Sequence, residues 1–288
     1  MKTLLLTGAA GEVGQHLRRE LAGRYRLRLT DVRPVSGLSP GERLRLANLA
    51  RLPDMLRVSK GVDAIVHMGA YSVEGDWDQI LQANIVGSYN VFEAARRNGV
   101  KRVVFASSSH TLGFHSRKTV LDHHAEPRPD SRYGVSKVFG EALARLYADK
   151  YGLEVCCLRI GTVQPAPTDR RRLSVWVSPR DLAQLVCIGV EHPAIRFEIL
   201  YGVSGNKRSF YDNANATRLG YRPQDNSERY AKEVLAREQQ QKKKKKKKKP
   251  SDNPAVAAYQ GGIFTIAEKL PNPAAPRPRR AAAKRSAR

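Results

Sequence analysis

The sequence predicts an α/β fold: one doubly wound parallel sheet of about seven strands with helices on both faces. Two observations carry that expectation. Short apolar runs alternate with amphipathic stretches from the first residues onward. A glycine-spaced turn, TGAAGEVG at 7–14, joins the first apolar run to the first amphipathic one. The chain has 288 residues and is 41% hydrophobic, which suits one large domain with a real core.

The elements follow in order. KTLLLTG reads as the first strand and residues 12–22 as the helix after it. YRLRLTD is the second strand. RLRLANL is a short third, followed by a helix near 51–59. VDAIVHMGA is the fourth strand, with a long helix over 77–99. KRVVFASSS is the fifth, and LEVCCLRIG the sixth after a helix over 132–151. Ser178, Pro179 and Asp181 read as a cap, a first-turn proline and a first-turn acid, starting a helix to about Glu191. RFEILYGVS is the seventh strand, and shorter helices are expected near 209–218 and 226–238. This sets the expected domain at residues 1–238.

The charge is uneven. Of a formal net charge of +24, residues 239–288 supply 15 Lys and Arg against 2 Asp and Glu. Eight consecutive lysines, residues 242–249, repel one another and bury nothing. PNPAAPRPRRAAAKRSAR is low-complexity. AYQGGIFTIAEKL, between them, has mild apolar content and no partner strand in view. Residues 239–288 are therefore expected to be a disordered basic tail, with weak, nonspecific affinity for polyanions. No apolar run approaches the ~18 residues of a membrane span, and the N-terminal apolar stretch is too short for a signal peptide. Cys156, Cys157 and Cys187 form no disulfide framework, so a reducing, cytoplasmic setting is expected. His123 and His124 are adjacent and lack companions at metal spacing, so no metal is expected.

Gly8, Gly11 and Gly14 follow a strand and open a helix. Glycines permit a tight turn and close backbone approach, and the helix N-terminus offers N–H groups to a pyrophosphate. This gives the fold its Rossmann-like character. Asp31 closes the second strand, where a carboxylate accepts hydrogen bonds from a ribose and repels the extra phosphate of NADP. Arg33, two residues on, softens that exclusion. Tyr133 and Lys137 stand at i and i+4, sharing one helix face. A free phenol titrates at about 10 and is a poor base at neutral pH. A neighbouring ammonium and a positively charged nicotinamide would lower it. Arg170, Arg171 and Arg172 share one loop, and their residue types alone read equally as solvated side chains.

TGAAGEVG with YGVSK resembles the extended short-chain dehydrogenase/reductases, in the NAD-dependent epimerase/dehydratase branch. HMGAYSVEGDWDQILQANIVGSYNVFEAAR, FASSSHTLG, YGVSKVFGE and RRLSVW narrow the resemblance to the uronate dehydrogenases, over roughly residues 1–235. The resemblance implies NAD-dependent oxidation of a hexuronate to its aldarolactone, in a homo-oligomer with a small C-terminal substrate-binding region. It makes Tyr133 the base, Lys137 its partner and Ser108 the orienting hydroxyl. Ser72, Ser109, His110, Thr162 and Arg171 would line the sugar beside Tyr133, with Arg171 gripping the carboxylate. The cofactor would meet Gly8, Ala10, Gly11, Glu12, Val13, Gly14, Asp31, Asn48, Leu49, Met68, Gly69, Ala70 and Asn84, as well as Tyr133 and Lys137. Two residues depart from the family pattern, Ser109 for Asn and Asn48 for Asp. The family pattern has no counterpart to residues beyond about 239. The competing readings are a nucleotide-sugar epimerase or dehydratase, and a non-catalytic NAD-binding protein whose tail binds nucleic acid.

Overall fold

The computed structural model describes residues 1–244 and 253–267. Seven parallel strands form the main sheet: β1 (Thr3–Thr7), β2 (Arg26–Thr30), β3 (Glu42–Leu44), β4 (Ala64–His67), β5 (Arg102–Ser108), β6 (Glu154–Ile160) and, last in the chain, β9 (Phe197–Gly202). Their order is β3-β2-β1-β4-β5-β6-β9. The strand order reverses between β1 and β4. In a sheet of this kind that crevice, at the carboxyl ends of the strands, is where ligands bind. Two short strands, β7 (Thr162–Val163) and β8 (Trp176–Val177), pair beside the sheet.

The sheet is buried on both faces, so its strands read as near-continuous apolar runs. Leu4, Leu6, Val66, Val104 and Leu158 face one core, which includes Leu182, Val186 and Val190 of α7 (Pro179–Glu191). Leu5, Ile65, Val103, Phe105 and Cys157 face the other, with Val91 and Phe92 of α4 (Gly87–Arg97) and Ala144 and Tyr147 of α5 (Arg132–Tyr151). The remaining helices of the body are α1 (Glu12–Glu20), α2 (Leu52–Ser59), α3 (Trp77–Ile80), α6 (Arg172–Val175), α8 (Ala214–Arg218) and α9 (Glu228–Lys244). Ser178 caps α7, its hydroxyl accepting the Asp181 N–H, as its sequence signature predicts.

Several expectations change in detail. The long helix over 77–99 is continuous, but residues Leu81–Val86 form a π-helical turn between α3 and α4. The third strand stops at Leu44 rather than running on through Leu49. Residues 209–213 do not join α8. Tyr211 there bridges to Leu121, and Ser209 bonds both the N–H and the carbonyl of Tyr211.

The largest correction concerns the tail. Helix α9 continues to Lys244. Residues 253–267 form a strap on the body: α10 (Pro254–Ala258) and a 3-10 turn at Gly262–Thr265. Tyr259 pairs with Ser116 as an antiparallel bridge. The Gln260 N–H donates to the His115 carbonyl at 2.9 Å and the Gly261 N–H to Gly113 at 2.8 Å. Arg117 donates to the carbonyls of Tyr259 and Val256. The strap has little apolar periodicity because main-chain hydrogen bonds hold most of it. The expectation of disorder over residues 245–252 and 268–288 falls outside the described residues.

Removing residues 253–288 should therefore lower the melting temperature by several degrees and cut kcat/KM at least about tenfold, whereas removing residues 268–288 should change neither. Equal behaviour of the two truncations, in a melt and a rate assay, would show that the strap does not contribute.

Candidate functional site

The strand ends that flank the crevice build a cradle. Gly8 has φ +71, and a Cβ there would lie 2.7 Å from the Gly69 backbone after β4. A Cβ on Gly14 would sit 2.2 Å from the Gly8 carbonyl oxygen. Only glycine fits at either place, so β1, β4 and α1 pack closely enough for a backbone-lined phosphate site. Gly11 caps α1 without a side chain, leaving the first-turn N–H groups of Glu12, Val13 and Gly14 for an anion. The residues present fit a dinucleotide.

Asp31 follows β2. Its Oδ2 accepts the Ala10 N–H at 3.0 Å and its Oδ1 accepts the Arg33 N–H at 3.1 Å, which aims the carboxylate at the glycine turn. Arg33 Nε stands 3.8 Å from the same carboxylate. Met68 and Ala70 are half-buried, and the Gly69 N–H donates to Thr7 Oγ1. Leu49 packs on Gly69 and Gly87, while Asn48 is exposed and caps its own loop through the Ala50 N–H.

Tyr133 and Lys137 lie in the first turns of α5, which starts where the Ser131 hydroxyl accepts the Gly134 N–H. Both side chains are buried. Lys137 Nζ donates to the Ala106 carbonyl at 2.7 Å and lies 5.7 Å from the centre of the Tyr133 ring. Burial pulls the Lys137 ammonium down to about 7. Burial pushes the Tyr133 phenol up to about 12, with the Ser108 hydroxyl pulling the other way and Asp130 adding to the rise. In the ligand-free site desolvation dominates, so the positive charge of a bound ligand, which the sequence reading already joins to the ammonium, is needed to favour the phenolate.

Ser108 ends β5, and its Oγ accepts the His110 N–H. His110 Nδ1 is 2.7 Å from Asp130 Oδ2, and the ring stacks 3.8 Å from that of Phe264 on the strap. Ser109 is buried next to them. Arg171 Nε donates to the Gln260 carbonyl at 2.6 Å. Its Nη2 is buried with no hydrogen-bond partner among the described residues, and burial pulls the guanidinium below its ordinary value. Arg170 and Arg172, by contrast, pair with Glu238 and Asp169. Asn84, on the π-helical turn, bonds Tyr71 through both amide groups and donates to Ser136 Oγ at 2.8 Å, which ties that turn to α5. Ser72 lies exposed on the loop after β4, and Thr162 half-buried at the start of β7. Neither makes a side-chain hydrogen bond to the cluster among the described residues.

Four contributors escape the sequence reading. Glu74 is buried and accepts the Tyr133 N–H and an Arg132 N–H. Asp130 holds His110. Phe264 and Tyr211 close the site from the C-terminal side. The only legible signal was Asp-Ser before a helical run, which marks a cap but not a His partner.

Residues 4–179 match the model of the NAD dependent epimerase/dehydratase family. The chain is 42% identical over 266 residues to the uronate dehydrogenase of Pseudomonas putida, covering 92% of this chain and 96% of that one. It is 40% identical over 265 residues to the Agrobacterium fabrum enzyme of the same name, covering 92% and 97%. The crystal structure of uronate dehydrogenase from Agrobacterium tumefaciens superposes with a TM-score of 0.84 at 39% identity, over 92% of this chain and 97% of that one. A tyrosine-to-alanine mutant of that enzyme has been solved complexed with NAD, with the same score and coverage. A match of 266 residues cannot end near residue 238, so the expectation that residues beyond 239 lack a family counterpart is corrected.

Asp31→Ala should narrow the preference for NAD over NADP, read as the ratio of kcat/KM for the two cofactors; an unchanged ratio would remove Asp31 from that role. Lys137 carries a pH-dependent cost. Its folded value lies below the ordinary 10.5, so between about pH 7 and 10.5 the unfolded chain binds more protons and stability rises with pH. Lys137→Met removes that cost. The mutant's urea midpoint should exceed the wild type's at pH 7, and the gap should close toward pH 10. A gap independent of pH would mean that the amine is not depressed.

Proposed function

The chain belongs to the NAD dependent epimerase/dehydratase family, and from that premise we propose that it oxidises a hexuronate, galacturonate or glucuronate, at the anomeric carbon to the aldarolactone. NAD, when bound, accepts the hydride from that carbon. The chain's residues bind, orient and deprotonate. Tyr133 takes the proton of the anomeric hydroxyl. Ser108, whose hydroxyl favours the phenolate, orients that hydroxyl. Loss of the anomeric C–H hydrogen as hydride to the nicotinamide and of the hydroxyl proton to Tyr133 would turn the exocyclic C–O bond into the lactone carbonyl, the ring C–O bond remaining as the ester linkage. Lys137 steadies the developing negative charge and holds the nicotinamide ribose. Gly8, Gly11 and Gly14 take the pyrophosphate, and Asp31 the adenine-side ribose.

The observation that carries the substrate class is Arg171. Its side chain is part-buried, its Nη2 is buried without a hydrogen-bond partner, and no carboxylate pairs with it among the described residues. Leaving such a group unmatched costs about 1–3 kcal/mol or more, so it belongs to an acidic ligand. The distal carboxylate of a uronate supplies two acceptors for parallel hydrogen bonds. A neutral sugar does not.

Two coarser points accompany this reading. Trp77, Tyr89, Val135 and Leu146, exposed on α3, α4 and α5, support a homo-oligomer packed through these helices. Among the described residues no helix is long and apolar enough to cross a membrane, and the three free cysteines agree with a cytoplasmic setting. The lysine run would add weak, salt-sensitive attachment to polyanions.

The test follows NADH formation from galacturonate, glucuronate, galactose and a nucleotide-sugar, with Tyr133→Phe as the inactive reference. The uronates should be preferred. Arg171→Ala should lower the uronate-to-galactose ratio of kcat/KM by about thirty- to thousandfold, equivalent to about 2–4 kcal/mol. Arg170→Ala and Arg172→Ala should leave it within about threefold. An unchanged ratio in Arg171→Ala, or equal losses in all three, would reject the uronate reading.

A further inference from the structure

Beside Arg171 lies another buried polar atom without a hydrogen-bond partner among the described residues, the hydroxyl of Tyr211. The two groups act on each other electrostatically. Arg171 is the leading charge that favours the Tyr211 phenolate, and Tyr211 is the leading group that favours the charged Arg171. The Ser109 side chain also approaches the phenol closely enough to favour the phenolate, without completing a hydrogen bond of good geometry. The Tyr211 ring is held firmly. It stacks on Tyr201 with centroids 4.2 Å apart and planes within 11°. Tyr201 is fully buried and donates its own hydroxyl to the Asp122 carbonyl. The Tyr211 backbone is tied at both its N–H and its carbonyl to Ser209, and the ring belongs to an apolar cluster with Leu112, Val175 and Phe210. The stack, the apolar cluster and the backbone bonds together hold the ring in place.

The chemistry of that place is narrow. Burial pushes the phenol up to about 12, so at neutral pH it is an O–H donor. Arg171 Nη2 is a donor only. Two neighbouring donors are best matched by a group that only accepts. A sugar hydroxyl offers both a single neutral oxygen; a carboxylate offers each its own charged oxygen. We propose that Tyr211 is a specificity-determining residue, donating its hydroxyl to the substrate carboxylate that Arg171 also grips. The inference rests on the uronate reading above and extends it to a residue on a different segment, the loop between β9 and α8.

The test is Tyr211→Phe, which keeps the ring and its stack on Tyr201 and removes one oxygen. The uronate KM should rise by about ten- to hundredfold, as expected for losing a hydrogen bond to a charged group. The kcat should change less than about threefold, because the contact is far from the breaking bonds and equal in ground and transition states. The NAD KM, the melting temperature and kcat/KM for galactose should stay at wild-type values. A uronate KM within threefold of wild type overturns the proposal. So does a fall in kcat at constant KM, or an equal loss with galactose. If the wild type oxidises uronates and only these outcomes appear, the function stands and Tyr211 falls. If the wild type does not oxidise uronates, both fall.

Discussion

One buried carboxylate fixes the geometry of the site. Asp130 accepts from His110 and from Ser131, the residue that caps the helix bearing Tyr133. A Cβ on Gly113 would fall 1.8 Å from its Oδ2, and one on Gly261 1.9 Å. Three chain segments therefore meet at one side chain: the turn after β5, the start of α5 and the strap. Each approaches the carboxylate as closely as a bare backbone allows. Enlarging either glycine, or shortening the acid, would shift the stacked His110 and Phe264 rings and the onset of the helix bearing Tyr133 together. A buried carboxyl of this kind is tolerable only because it is hydrogen-bonded.

The site's electrostatics share one bias. Desolvation drives Tyr133 up and Lys137 and Arg171 down, so each group is pushed toward its neutral form. An anion near Arg171 would compensate its desolvated charge, and a cation near Tyr133 would favour the phenolate. Selectivity and activation arise from the same dry, undercompensated environment. Beneath it, Arg159 and Glu141 form a buried bidentate pair that Ser107 completes, so the floor of the site is itself polar and rigid.

The sheet was legible because parallel strands buried on both faces must be apolar throughout, and because glycines at 8, 11 and 14 leave a spacing that few other structures need. The Tyr133–Lys137 pair was legible from helical spacing. Arg171 could be chosen from three neighbours only by resemblance; the carboxylate partners of Arg170 and Arg172, which the sequence does not display, separate them from it. Phe264 and Gln260 were hidden for a different reason. Their segment is fastened mostly by backbone hydrogen bonds, which leave no hydrophobic period, and it lies between compositions that predict disorder. Tyr211 was missed because a short apolar run beside α8 read as more helix, when its backbone instead crosses to Leu121.

The position of the strap has a consequence for how the protein is made. Every strand, the glycine cradle and the helix carrying Tyr133 precede residue 203, but Gln260 and Phe264 emerge from the ribosome only after the lysine run. At translation speeds of about 5–20 residues per second, the sheet has several seconds in which to form before the strap exists. The nascent protein therefore passes through a stage in which its dinucleotide cleft can form while the sugar side remains roofless. Cofactor capture can precede completion of the catalyst, and NAD already seated would help hold the half-built domain together while its last segment arrives.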